Sequence, residues 1–307
     1  MVVCRYVARA TRLRGKAATK PLSSVFCPLS SGFTLVEMIM VIVITGIIGG
    51  IVAVFLKAPV QQYVDVARRA DMTDTVDTAL RRITRDVRLA LPNSVRVTGA
   101  CDGAGTCFIE SLSAPGGGRY RADAPGDELD FTVADTGFEV LGQMPAVAAG
   151  DQIVVYNLGI TGADAYAGNT LATHNRRAVS AVGANSISIT SANALPFDSP
   201  GHRFHVVTTP VTYVCSPVAG GTGGTLTRYW GYPIQALQSA VDTVAELDAL
   251  TTPATRALLA TNVSSCRFTY NAFVVAQRSG LVTMHLGITR DGETVTLYNA
   301  AHVGNQP

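Results

Sequence analysis

Catalytic signatures are absent from this 307-residue chain: it holds no Gly-x-Ser-x-Gly elbow, no Gly-x-x-x-x-Gly-Lys loop and no His-Glu-x-x-His helix. Gly220-Gly-Thr-Gly-Gly224 has no following Lys and does not make a phosphate loop. Nothing here anchors catalysis, and the expectation is a protein that is not an enzyme and carries no cofactor. Charge is scarce too, at 15% of residues against 48% hydrophobic, which excludes an intrinsically disordered chain. Acidic residues are missing altogether before residue 33, where all six charges are basic (Arg5, Arg9, Arg12, Arg14, Lys16, Lys20). The remaining 275 residues therefore hold 18 basic and 22 acidic groups, a formal −4, which argues against nucleic acid as a partner. Aromatics reach only 7%, with a single Trp, while 29 Gly and 14 Pro point to strands joined by turns.

One long apolar run is present. Residues 33–56, FTLVEMIMVIVITGIIGGIVAVFL, include one ionisable side chain, Glu37. A helix of that length spans roughly 36 Å, more than a hydrocarbon core of about 30 Å, so this segment is expected to cross a lipid bilayer once. The basic segment before it stays cytoplasmic by the positive-inside rule, which sends the rest of the chain across. A secretory signal has a shorter apolar core followed by a small residue at the cut; here the small residue, Gly32, precedes the run. Glu37 is the anomaly, because a carboxylate within such a helix costs about 2.5–3.5 kcal/mol at its centre and less near its end.

Gly32-Phe33-Thr34-Leu35-Val36-Glu37, followed by an unbroken apolar helix and preceded by a basic leader, resembles the class III signal of type IV prepilins and type II secretion pseudopilins. The resemblance implies cleavage after Gly32 by a prepilin peptidase and N-methylation of Phe33. It gives Thr34 and Glu37 roles in subunit assembly, with Glu37 offsetting the positive amine of a neighbouring Phe33. A second set of words, Pro59-Val-Gln-Gln-Tyr-Val-Asp65, the stretch 79–97 and Leu297-Tyr-Asn-Ala-Ala-His-Val-Gly-Asn305, is similar to the MshO-type minor pilins of MSHA pilus biogenesis, relatives of the J-type pseudopilins. Implied partners are the peptidase, other minor and major pilins or pseudopilins and an inner-membrane assembly platform. The implied place is a priming complex near the filament tip. K-type tip subunits generally lack the acid, so Glu37 puts this chain below another subunit. A pilus-displayed adhesin or ligand-binding module is the alternative function. The leader of 32 residues exceeds the family's usual length and has no Met between Met1 and Met38, so either it is long or translation starts at a non-AUG codon such as Val25 or Leu29.

The resulting expectation is an α+β, pilin-like fold: a cleaved leader (1–32), a transmembrane half-helix (33–56), an amphipathic half-helix (57–92) and an antiparallel β-rich periplasmic or extracellular head (93–307). Val76, Leu80, Ile83, Val87 and Leu91 form one apolar stripe at helical spacing, and Asp65/Arg69, Asp77/Arg81 and Arg82/Asp86 stand four apart as opposite charges. The other faces read as solvated, or else Arg68, Arg69, Arg81, Arg82, Arg85 and Arg88 dock neighbouring subunits. Pro59 should kink the helix, Gly46, Gly49 and Gly50 let another helix approach, and Leu91-Pro92 should end it. Strands are expected over 94–98, 108–112, 128–133, 152–157, 185–190, 203–208, 211–214, 225–230, 267–275, 281–289 and 294–298. Arg290-Asp-Gly-Glu293 should turn a hairpin, 235–250 a short helix or loop, and 116–118 and 220–224 exposed loops.

Cys4 and Cys27 precede the cut. Cys101, Cys107, Cys215 and Cys266 reach an oxidising compartment, where three pairings are open and the most local, Cys101–Cys107 with Cys215–Cys266, is preferred. No Cys-x₂-Cys supports zinc as the alternative. His202 and His205 would point to opposite faces of a strand, and neither Asp102 with its glycines nor Asp123, Asp127 and Asp130 has the ligand order of a calcium loop.

Overall fold

The computed structural model describes residues 33–275 and 279–307. Helix α1 (Leu35–Arg88) opens the chain and runs through Pro59 without interruption. The leader, with Gly32, Cys4 and Cys27, lies outside the described residues. The chain divides at Gln61/Gln62 into two compact units.

In the first unit the helix is exposed along its whole length. In the second, Met72, Val76, Ala79, Leu80, Ile83 and Val87 are buried, and Leu91 just beyond is buried as well. This is the expected stripe, extended by Met72 and Ala79, and burying each of its larger side chains is worth about 1.5–3 kcal/mol. The helix ends three residues earlier than Leu91: Leu89 N–H is shared between the Arg85 and Asp86 carbonyls, and Leu91 N–H already bonds Leu112 O at 2.8 Å. Pro92 then bars any return to helix.

Among the described residues fourteen strands follow: β1 (Arg96–Gly99), β2 (Cys107–Ser113), β3 (Gly116–Tyr120), β4 (Gly137–Leu141), β5 (Gln152–Val155), β6 (Arg176–Val182), β7 (Ser186–Thr190), β8 (Arg203–Val207), β9 (Thr209–Ser216), β10 (Thr225–Trp230), β11 (Arg256–Thr261), β12 (Val263–Val275), β13 (Ser279–Arg290) and β14 (Glu293–Gly304). The short helix α2 (Val244–Leu250) lies between β10 and β11. They form a five-stranded sheet β1-β2-β9-β10-β11, a three-stranded sheet β12-β13-β14 and a closed barrel β3-β4-β7-β6-β5-β8, with every pairing antiparallel. The fold is thus α+β as expected. Both open sheets share one core with α1, in which the helix stripe meets Ile109, Tyr213, Leu226, Phe268, Val282 and Met284. The barrel has a separate core around Tyr120, Phe138, Ile153, Ile187, Phe204 and Val206. It is inserted between two neighbouring strands, since Ser113 at the end of β2 and Thr209 at the start of β9 are partners in the same ladder.

Several local expectations need correction. Residues 116–118 are a strand, not a loop: a Cβ at Gly117 would fall 2.6 Å from Phe204 O and one at Gly118 3.0 Å from the Phe204 ring, so glycine is what lets β3 close against β8. Residues 128–133 form no strand, because the Asp130 and Asp135 carboxylates take the backbone amides of Thr132 and Asp130 that a ladder would need. The expectation for 235–250 holds: a short helix starts at Val244 with a Thr243/Glu246 capping box, and of this stretch only Val241 and Leu247 are buried. Within 220–224, Gly221 and Gly224 are buried, packed on the backbone of Asn262 and Val263. The hairpin turn does hold, with Asp291 at φ 51° and Gly292 at φ 80°.

Candidate assembly site at the helix start

Thr34 caps α1: its Oγ1 accepts the Glu37 N–H at 3.2 Å and its carbonyl accepts the Met38 N–H at 3.2 Å. Thr-x-x-Glu is the spacing of a capping box, in which the acid normally reaches back to the cap. Here the Glu37 carboxylate makes no hydrogen bond or ion pair among the described residues, and it stands one turn from the exposed Phe33. Thr45 satisfies its hydroxyl on the Val41 carbonyl at 2.6 Å, which leaves Glu37 as the one strongly polar group of the segment without an internal partner.

Around it the helix is apolar on all sides. Its best 18-residue window has a mean hydropathy of 2.9 and no part of that window is buried by the chain. A helix apolar all round is covered by protein or by lipid, and none of the described residues covers this window. At Gly46, Gly49 and Gly50 a Cβ would meet no atom of the chain, so the small-residue face is open.

Residues 28–53 match the family model of the prokaryotic N-terminal methylation motif. The match starts before Gly32 and takes in Phe33, Thr34 and Glu37. No curated protein is similar enough in sequence, and no solved structure similar enough in fold, to be matched to the chain. The motif supports a type IV pilin-like protein and implies processing by a prepilin peptidase and association with other pilins, and among the described residues one helix is long and apolar enough to anchor it in a membrane.

In the second unit most of the charges of α1 are paired within the chain. Arg69 pairs with Glu293 at 2.7 Å instead of with Asp65, Arg68 bridges Asp65 and Asp291 at 3.3 Å each, and Arg290 reaches back to Asp71 at 2.7 Å. The β13–β14 turn thereby clasps the helix. Two expected pairs are made, Asp77–Arg81 at 2.6 Å and Arg82–Asp86 at 3.6 Å. Sequence spacing missed the main role of Asp86, which takes the Tyr213 hydroxyl at 2.6 Å and Arg228 Nε at 2.7 Å and so fastens α1 to β9 and β10. Burial, reinforced by the Asp86 hydrogen bond, pushes the Tyr213 hydroxyl well above its ordinary pKa. Further along, Glu110 is buried; desolvation drives its carboxyl up, while Arg96 at 2.6 Å and the Tyr232 hydroxyl pull it back.

The disulfides Cys101–Cys107 and Cys215–Cys266 are both formed. Cys107 and Cys215 are directly opposed in the β2–β9 ladder, so the two bridges lie side by side. His202 precedes β8 in a turn, 3.6 Å from Asp198, whereas His205 lies within β8, where burial lowers its pKa. Asp102 accepts the Ala104 and Gly105 amides, and Asp130 accepts the hydroxyl and then the amide of Thr132, which holds both carboxyls below their usual range. These acids cap turns. Among the described residues no three His, Cys, Asp or Glu side chains converge as a metal would require.

Proposed function

We propose that the chain is an MshO-type minor pilin, non-enzymatic, acting in the priming complex near the tip of an MSHA-type pilus or a related type II secretion pseudopilus. A prepilin peptidase cuts between Gly32 and Phe33 and Phe33 is N-methylated, after which residues 33–56 hold the protein in the inner membrane with its N-terminus cytoplasmic and its head periplasmic. The assembly platform then extracts the helix into the filament, where Glu37 neutralises the N-terminal amine of a neighbouring subunit. One observation carries this reading: the single carboxylate of the otherwise apolar, exposed segment 33–56 lies within the methylation motif and has no partner among the described residues. Extraction from lipid into a filament supplies that partner and repays the insertion cost. The test is the intact mass of the protein from membranes with and without the peptidase. A product starting at methylated Phe33 is expected; a fully active protein that keeps residues 1–32 overturns the reading.

A second reading, display of an adhesive module, is favoured by the inserted barrel, which has its own core and is not needed to complete either open sheet. Replacing 115–207 by a short linker separates the two. Loss of surface adhesion with normal pilus number supports the adhesin.

A further inference from the structure

Strand β14 is an open edge. It pairs with β13 from Arg290↔Glu293 to Ser279↔Gly304 without a bulge, and among the described residues no strand lies on its other side. Edges are ordinarily guarded by Lys, Pro, bulges or shortness, and this twelve-residue strand, ETVTLYNAAHVG, has none of these guards. Beside it runs a groove of about 440 Å³ lined by Arg81, Thr84, Arg85, Arg88 and Leu89 of α1 and by Asn299 of β14.

Three features of the groove are incomplete. Arg85 and Arg88 make no ion pair among the described residues, whereas Arg68, Arg69, Arg81 and Arg82 are all paired within the chain. Thr45, Thr73 and Thr75 each bond the carbonyl four residues back, but the Thr84 hydroxyl does not; it is shut off from solvent and has no partner. Leu89 is 46% exposed at the end of the groove. A backbone ladder open on one side accepts only extended chain, and two guanidiniums without an ion pair among the described residues, on a chain whose residues 33–307 carry a formal −4, select carboxylates.

We infer that β14 and the Arg85–Arg88 groove receive an extended, acidic segment of a different pilin subunit, which adds a strand to the β12-β13-β14 sheet and sets its carboxylates on Arg85 and Arg88. This deepens the proposed assembly role and rests on it. The partner's backbone supplies the affinity and its acidic side chains the register and choice of subunit.

The test uses the full chain in cells, with the photo-cross-linker p-benzoylphenylalanine in place of the exposed Tyr298 on β14 and the captured peptide sequenced by mass spectrometry. A net-negative segment of another protein bearing a methylation motif is expected. Its yield should fall about tenfold in Arg85→Glu/Arg88→Glu, the loss of at least one charge-assisted hydrogen bond. Asn299→Asp places a carboxylate in the groove without touching the helix and should lower the yield similarly, which keeps the test valid if the helix variant misfolds. Capture of a second copy, for example through its acidic 123–130 segment, capture of lipid, no capture, or capture indifferent to these charges overturns the inference. The mass of the chain from the same cells separates the two failures: a processed chain with no capture loses only this surface, while an unprocessed one loses the assembly reading and this inference with it.

Discussion

The two halves of α1 are one helix built for two solvents. Residues 33–61 are exposed on every face and leave Glu37 unpartnered, whereas residues 62–88 bury a stripe from Met72 to Val87 and spend most of their charges on the chain itself. Asp86 and Glu37 make the contrast sharp: the first is 13% exposed and binds three side chains, the second binds none. Carboxylates on the same helix therefore do opposite work, one fastening the fold and the other kept for a partner outside it.

That contrast can be broken in four ways. The largest effect is expected for Glu37→Ala, which should abolish filaments counted by electron microscopy while leaving the denaturation midpoint of the detergent-solubilised chain unchanged; normal pilus number would remove the charge-pairing role. Ile83→Ala should cost about 3 kcal/mol in denaturant unfolding because it opens a cavity under the helix, whereas Ile47→Ala, on an exposed position, should stay within about 0.5 kcal/mol. Asp86→Ala should cost about 2 kcal/mol, less than a fully buried pair because the site is partly solvated, and Asp77→Ala almost nothing. The smallest effect concerns the clasp. The Arg69 hydrogen bond holds the Glu293 carboxyl below its ordinary range, so its contribution is present above about pH 4.3 and fades as pH falls through the lower folded value. Thermal midpoints of the wild type and Glu293→Gln should differ slightly at pH 7 and converge in acid.

Much of this was legible in the residues, and the failures have physical causes. The helix stripe follows from a period that any amphipathic helix obeys, and the Asp291-Gly292 turn from the backbone its two residues tolerate. Strands at β5, β7 and β8 were legible but the closure of the barrel was not, because β3 is written in glycines that look like a loop until Phe204 stands against them. Strand β6 begins with Arg176 and Arg177, both buried: the Arg177 guanidinium donates to the backbone carbonyls of His174, Asn193 and Ala194, and burial lowers Arg176 to about 10. No local pattern announces a buried arginine. At the helix start the residues alone supplied Phe33, Thr34 and Glu37, and geometry added that Thr34 is the cap. The clasp of Arg68 and Arg69 on the distant β13–β14 turn was invisible for the converse reason, since spacing along a helix sees only neighbours four residues away.

Because Ser113 and Thr209 face each other across adjoining strands, the polypeptide leaves for the barrel and returns from it at nearly the same point, about 5 Å apart. A lobe attached in this way can be exchanged if its replacement also covers Leu91 and Leu112 of the host, which now pack against Val154, Ala165, Tyr166 and Val207. The β2–β9 junction is thus a natural port for grafting, where a foreign domain with adjacent termini could be carried to the cell exterior on the same stalk.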